Sequence, residues 1–518
     1  MYRSKPSPPV PFEVLLVSPF TVGAFSPAFR ERQIRPANEA SSADHVALVV
    51  PLGAVDPDHG IVQRLDSWHL FGWPAAAGQA HIGRTDHALR TLEEPIWPLI
   101  QRAKHVILPF DLRYDHGALS RVETGLNLNR HMLENIFPKM KGYSLDGRFL
   151  TILLDEMPPK PWPKTVAGLP LHLAPQFDPH ATPVPFGRLV DRRNGSIAQD
   201  LHGRGMKSWT PIFEAVRHHF SALRISITHV IYWGNFITIV LEHRTTDLTR
   251  LPWKAANIGC QYLYDDEMGR PALPKARHQS DLTSGDPDES QYQTLQPGLR
   301  LTSGCLPSNS GVFIPSTTGV LVRDDAGDEY MTASLYGFPD ECGTEVVHAR
   351  PMTGRKIGQV HYQVPQTDIV LVRLQESEPF HNETFKSKEI IQPTKLGRLI
   401  NPIEVKSGNS FFLDSPDTGC IDGTLQVQSF QRVLTHGGDH GGREHNWVST
   451  TWFYTGQETA SSFSEGMCGS PVCTENGHVV GFFRYAPKEG RMKDWCCATA
   501  ADELISRDFT LVDTAGRR

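Results

Sequence analysis

Glu465-Gly466-Met467-Cys468-Gly469-Ser470-Pro471-Val472, continuing as CTENGHVVGFF to Phe483, sets a cysteine between two near-adjacent glycines at the head of a hairpin. Glycine admits the left-handed backbone that a tight turn requires. The apolar runs on either side of Glu475-Asn476-Gly477 read as its two strands. A nucleophile carried on a turn has this form. The bland alternative is a small buried hydrophobe, since free cysteine is among the most buried residue types.

Outward from that turn the chain has one texture from about residue 301 to 510. Short strand-like runs follow one another with turn signals between them, among them GVFIPSTTGVLVRD, EYMTAS, TEVVHARP, IGQVHYQV, TDIVLVRLQ, GTLQVQSFQRVL and HNWVSTTWFYTG. TAADELISRD closes the series as a short helix. Closely spaced strands with one terminal helix predict an all-β unit, a barrel pair or a sandwich. Residues 511–518 are left as a tail.

Upstream, residues 276–300 (ARHQSDLTSGDPDESQYQTLQPGLR) are polar and acidic with almost no periodic apolar positions, which marks a linker. Residues 31–275 are mixed and read as an α+β domain of unknown function behind a Pro-rich lead, 1–30. RTLEEPIWPLIQRA reads as a proline-interrupted helix. The clearest signal lies at 209–243. Thr210 suits an N-cap and Pro211 the first helical position, and Ile212, Val216, Phe220 and Leu223 recur at helical spacing. ISITHVIYW and FITIVLEHR then flank Gly234-Asn235, the signature of a hairpin.

The 518-residue chain is too long for one ordinary core. Its formal net charge of -6 gives no electrostatic case for nucleic acid or for an anionic membrane surface. No run approaches the roughly 20 apolar residues of a membrane-spanning helix. The first 25 residues carry Arg3 and Lys5 before an apolar patch, but Pro19 interrupts it and no small-residue cleavage site follows. Eight dispersed cysteines form no zinc-ribbon pairs, which suits reduced thiols and an intracellular, cytoplasmic setting. His436, Asp439, His440 and His445 lie in a Gly-rich run whose spacing matches no standard metal site. Cys496 and Cys497 read as core thiols, and PPKPWPK (158–164) as a rigid loop. Neither metal nor cofactor is expected.

Three segments resemble one family. TTGVLVRDDAGDEYMTAS (317–334) resembles the opening hairpin of chymotrypsin-like (trypsin-like, PA-clan) proteases, QTDIVLVRL (366–374) the strand that carries their orienting aspartate, and EGMCGSPVCTENGHVVGFF their nucleophile loop. The whole chain also resembles a set of uncharacterised filamentous-fungal proteins. The family resemblance implies a double β-barrel at 301–510. It puts Cys468 in the nucleophile position and Asp368 in the acid position, with an oxyanion hole from the N–H groups of Gly466 and Cys468. It also implies a substrate pocket formed by Ser462, Gly481, Phe482 and Phe483.

The base position departs from the family. TASLYGF offers Leu335 or Tyr336 where a histidine belongs. Leucine accepts no proton, and a phenol with a pKa near ~10 is a poor base at pH 7. His348, His361 and His381 are the candidates for a displaced base, although triad geometry tolerates little displacement. The expectation is therefore a catalytically impaired or inactive peptide-binding protein of this fold. The alternative is an active cysteine endopeptidase using a displaced histidine. A protein or peptide ligand is the expected partner, and the oligomeric state stays open.

Overall fold

In a computed structural model, the chain divides into two compact units, Met1–Thr182 and Pro183–Arg518. The structure describes residues 13–19, 46–52, 69–71, 103–114, 118–119, 127–146, 149–176, 183–197, 209–271, 277–278, 290–306, 309–338, 342–350, 353–385, 392–405, 409–416, 418–435, 444–457, 463 and 466–514. The expected proline-interrupted helix at 90–103 lies outside these, apart from Ala103 at the start of a strand.

The first unit is a mixed sheet with one helix among its described residues. Its strands are β1 (Glu13–Pro19), β2 (Val46–Leu52), β3 (His69–Phe71), β4 (Ala103–Ile107), β5 (Met140–Asp146), β6 (Phe149–Leu154), β7 (Thr165–Val166) and β8 (Leu169–Pro175). Their order across the sheet is β3-β2-β1-β4-β7-β8-β6-β5. Helix α1 (Leu128–Ile136) starts at Asn127, whose side chain accepts from Arg130 N–H. Leu133, Ile136 and Phe137 pack with Val106, Leu150, Ile152, Val166 and Leu171 in the unit's core.

The second unit begins with the segment expected in the preceding domain. Its elements are β9 (Ser196–Ile197), helix α2 (Thr210–Ala222), the hairpin β10 (Ile227–Tyr232) and β11 (Phe236–Leu241), β12 (Lys254–Ala255) and β13 (Ile258–Tyr264). The hairpin forms as expected, with Gly234 at φ +96°. The helix starts one residue earlier than expected, with Trp209 as N-cap, and buries Ile212, Val216 and Phe220. The expected linker at 276–300 is not where the units part. Strand β10 pairs with a strand of the C-terminal series, so residues 183–271 form a layer of the same unit.

That series makes two closed barrels. In the first, β15 (Arg300–Thr302), β18 (Ser316–Arg323), β19 (Glu329–Ser334), β20 (Glu345–His348), β21 (Arg355–Gln363) and β22 (Ile369–Leu374) run β15-β20-β21-β22-β19-β18, and β18 returns to β15. A small separate sheet joins β14 (Arg277–His278), β16 (Cys305–Leu306) and β17 (Asn309–Phe313). In the second barrel, the strands are β24 (Ser410–Ser415), β25 (Gly419–Thr435), β26 (Glu444–Tyr454), β27 (Pro471–Thr474), β28 (His478–Tyr485) and β29 (Trp495–Ala500). They run β24-β27-β28-β29-β26-β25, and β25 returns to β24. Short β23 (Arg398–Leu399) adds to β28, helix α3 (Asp502–Ile505) follows β29, and β30 (Thr510–Leu511) pairs with β18.

The strands facing the other barrel are apolar on both faces because both faces are buried. In β18, Leu321 packs inside the first barrel, while Val320 and Val322 face a core shared by both barrels. Val370 and Val372 of β22 divide from Ile369 and Leu371 in the same way. On the second barrel, Val479, Phe482 and Cys473 join the shared core, while Val472, Val480 and Phe483 fill the barrel interior. A side-chain period of two therefore writes two cores into one continuous apolar run. Among the described residues the chain is mostly β with few helices, as expected for its C-terminal part. Among the described residues, no helix is long and apolar enough to cross a membrane.

Candidate functional site

The Cys468 turn lies where the barrels meet. Gly466 has φ +87° and Gly469 +99°, which only glycine adopts without strain. Neither site has room for a side chain. A Cβ on Gly466 would lie 2.7 Å from Pro315, and one on Gly469 2.8 Å from Ser334 N. The first barrel holds the turn by its carbonyls. Thr317 N–H donates to Cys468 O (3.1 Å), and Thr317 Oγ1 donates to Gly466 O (2.6 Å). Within the second barrel, Gly469 N–H donates to Phe483 O (2.8 Å).

Asp368 comes to the same junction just ahead of β22. Its carbonyl accepts from Leu335 N–H (2.7 Å), which places the short turn Leu335–Gly337 directly above it. Its carboxylate is 8% exposed and takes two partners. Thr499 Oγ1 on β29 donates to Oδ1 (2.5 Å), and Arg484 Nε on β28 donates to Oδ2 (3.1 Å).

Arg484 is the residue that joins the site together. Its guanidinium also donates from Nη1 to Gln431 Oε1 (2.6 Å) and from Nη2 to Tyr336 Oη (3.2 Å). Its carbonyl accepts from the Cys468 thiol at 2.9 Å. The side chain is only 6% exposed. Burial opposes its charge, but Tyr336 and Asp368 beside it hold its pKa above the ordinary arginine range. Arg484 thus links the two positions, its side chain bonding the Asp368 carboxylate and its backbone carbonyl taking the Cys468 thiol.

The other ionisable groups follow from this. Burial, helped by the Asp368 charge, pushes the Cys468 thiol up to about 12, against the opposing pull of Arg484 and Arg300. Arg484 pulls the Tyr336 phenol down, yet burial and Asp368 leave it above its usual value. At pH 7 the pair is a thiol and a phenol. Neither accepts a proton from the other.

The three histidines considered as displaced bases are engaged elsewhere. His348 Nδ1 bonds Arg300 O (3.0 Å), and its Nε2 accepts from Tyr292 N–H (2.9 Å), which spends both nitrogens on backbone. His361 stacks on Tyr330 at 5.2 Å. His381 Nδ1 lies 3.7 Å from Glu383. Among the described residues, no imidazole bonds to Cys468. Leu335 is half-buried and packs against the first barrel's core. Of the expected pocket, Phe482 belongs to the shared core, and Phe483 stacks on Phe463 at 5.0 Å inside the second barrel. Gly481 faces β29, where a Cβ would lie 2.7 Å from Thr499 O. All three are buried packing positions. Ser462 lies outside the described residues, as do His436, Asp439 and His440. Among the described residues, no group of His, Cys, Asp and Glu is placed to hold a metal ion.

A buried serine–imidazole pair, which no local sequence signal marks, lies on β10 and β25. His229 on β10 is fully buried, with Nε2 3.1 Å from Ser429 Oγ on β25. Arg270 Nη2 lies 3.0 Å from its Nδ1. Arginine has no acceptor, so Nδ1 must accept. Burial first, then Arg270 and Arg484, keep the ring neutral far below its usual range. Its one proton therefore sits on Nε2 and points at Ser429, the wrong tautomer for a base.

No family model matches this chain, and no curated protein does. Among solved structures it is similar to a protease from Nocardiopsis, at 16% identity over 42% of this chain and 98% of that one, with a TM-score of 0.29. A glutamic-acid-specific serine protease that uses a novel histidine triad in substrate binding matches at 14% identity over 42% and 100%, with a TM-score of 0.29. The serine endoprotease from Yersinia pestis matches at 11% identity over 40% and 59%, with a TM-score of 0.23.

Proposed function

We propose that residues 301–510 are a chymotrypsin-like double barrel that has kept the cleft of a peptidase and lost its turnover, so that the protein binds a peptide or protein segment without cleaving it. The observation that carries this reading is the Asp368–Arg484 pair, with the Cys468 thiol donating to Arg484 O. A general base must accept a proton. A guanidinium cannot, having no lone pair to offer and a pKa above 12. With a thiol pKa of about 12, five units above pH 7, roughly one Cys468 in 10⁵ is thiolate at neutrality.

Binding does not need the base. The turn that carries Gly466 and Cys468 is fixed from both barrels, and their N–H groups are the donors a bound peptide carbonyl would use. Nothing in the overall charge recommends a nucleic acid or a membrane surface as the partner. The test pairs a cysteine-directed peptide probe with a screen of unreactive peptides. Retention of peptides by the wild-type chain, with no Cys468-dependent labelling at pH 7, is the expected result. Rapid labelling that disappears in Cys468→Ala would make Cys468 a working nucleophile and overturn the reading.

A further inference from the structure

The guanidinium that closes the site is held partly by β25, the second-barrel strand that pairs with β10 of the added layer. Gln431, which takes Arg484 Nη1, lies on β25 directly opposite His229 of β10. Directly opposed residues on paired strands share a face. Two residues along the same face of β25 is Ser429, which receives His229 Nε2–H (3.1 Å) and Trp452 Nε1–H (3.1 Å). Ser429 Oγ also lies 2.6 Å from Thr450 Oγ1. Thr450 on β26 pairs with Thr499 on β29, which donates to Asp368. One face of the sheet thus carries a buried polar row from β10 to the candidate site.

The far end of that row is anchored in the added layer. Arg270 Nη2 bonds His229 Nδ1 (3.0 Å) and Thr228 Oγ1 (3.3 Å), and lies 3.1 Å from Asp265 Oδ1. Thr228 Oγ1 in turn donates to Asp265 Oδ1 (2.5 Å). His229, Ser429, Thr450 and Thr499 are each at most 1% exposed, and Gln431 is 5% exposed. Buried polar groups of this kind keep their places only while their partners do, because a buried donor or acceptor left without its bond has lost its water as well.

We propose that the layer of residues 183–271 is the positioning element of the Cys468 site: Arg270 and His229 hold β25 so that Gln431 keeps the Arg484 guanidinium on the Asp368 carboxylate. The layer is then an autoinhibitory brace. A partner or modification that loosens β10 from β25 frees Arg484 to leave Asp368 and uncovers the thiol. This rests on the reading of Arg484 as the group that closes the site, and Arg270 and Gln431 act through it.

The experiment is a rate measurement on the full chain. Alkylation of Cys468 by iodoacetamide is followed by peptide mass at several pH values, with buried Cys473 and Cys496 as internal references. In Arg270→Lys and Gln431→Met the rate at Cys468 rises at least tenfold while Cys473 and Cys496 keep their wild-type rates. In Gln431→Glu, which still accepts from Arg484, it stays at the wild-type value. Equal rates at Cys468 in folded variants overturn the proposal. So does a parallel rise at all three thiols, which would mean general opening. If one variant does not fold, the other decides by the same criterion. A wild-type Cys468 that already reacts fast at pH 7 would instead sink the inactive reading, and the variant-to-wild-type ratio would still test the brace.

Discussion

The Cys468 site and the His229–Ser429 pair lie along one polar row that runs from β10 across the second barrel, and they fall short of a catalytic dyad in opposite ways. At Cys468 a thiol and the Asp368 carboxylate come to one junction, but Arg484 takes both, the carboxylate by its side chain and the thiol by its carbonyl. At Ser429 the imidazole is present and within 3.1 Å, but an arginine behind it fixes the proton on the wrong nitrogen. In both, a guanidinium, buried at Arg484 and half-buried at Arg270, decides the chemistry because it only donates. Side chains that resemble a triad are thus insufficient. What counts is which group can accept a proton, and each arginine removes one acceptor.

The strongest way to break the comparison is to remove its charges. Arg484→Met leaves the Asp368 carboxylate buried with Thr499 alone, and losing one partner of a buried ion pair costs about 3–5 kcal/mol. Asp368→Asn should cost a similar amount by stranding the cation. The double variant should cost much less than the sum, and urea unfolding of all four chains measures that coupling. Additive losses would mean that the pair is not a unit.

A second prediction concerns restoring a base. Tyr336→His or Leu335→His alone leaves Cys468 labelling within about twofold of wild type, because Arg484 still occupies the carboxylate that must orient the new ring. Tyr336→His combined with Arg484→Ser empties that place, and a positioned base contributes ~10²-fold or more, so a rise of at least tenfold is expected. A single variant that labels as fast as the double would show that Arg484 does not block the site.

The smallest effect belongs to His229. Its folded-state pKa is depressed by burial first and by Arg270 and Arg484 next, while the unfolded ring takes a proton below about pH 6.5. The unfolded state then binds more protons, so stability falls as pH drops through that range. His229→Gln should flatten this part of the curve between about pH 7 and 5. An unchanged slope would mean that another group sets it.

Much of this was legible in the sequence for a physical reason. The turn glycines, the Asp before a β-branched run and the absence of histidine from TASLYGF are local features, and so is the series of short strands, whose pattern leaves barrel or sandwich open. Arg484 was in plain view within GFFRYA, a charge in a run of buried aromatics. Its direction depends on the irregular register between Phe483 and Tyr485, and a bulge of that kind leaves no local signature. The placement of residues 183–271 was hidden for a related reason. His229 pairs with Gln431 across 202 positions, and no composition shift announces a pairing that distant. The stretch at 276–300 reads as a boundary because it is polar and lacks periodic apolar positions, yet strands on either side of it share one sheet.

The most direct test of the account is the pH dependence of Cys468 alkylation in the unaltered chain, read site-specifically against Cys468→Ala. With the thiol near 12 and no acceptor beside it, the rate should climb about tenfold per pH unit from 7 to 10 without levelling. A plateau below pH 8 would mean a thiolate stabilised by a neighbouring base or cation, and would contradict the claim that Arg484 has closed the site.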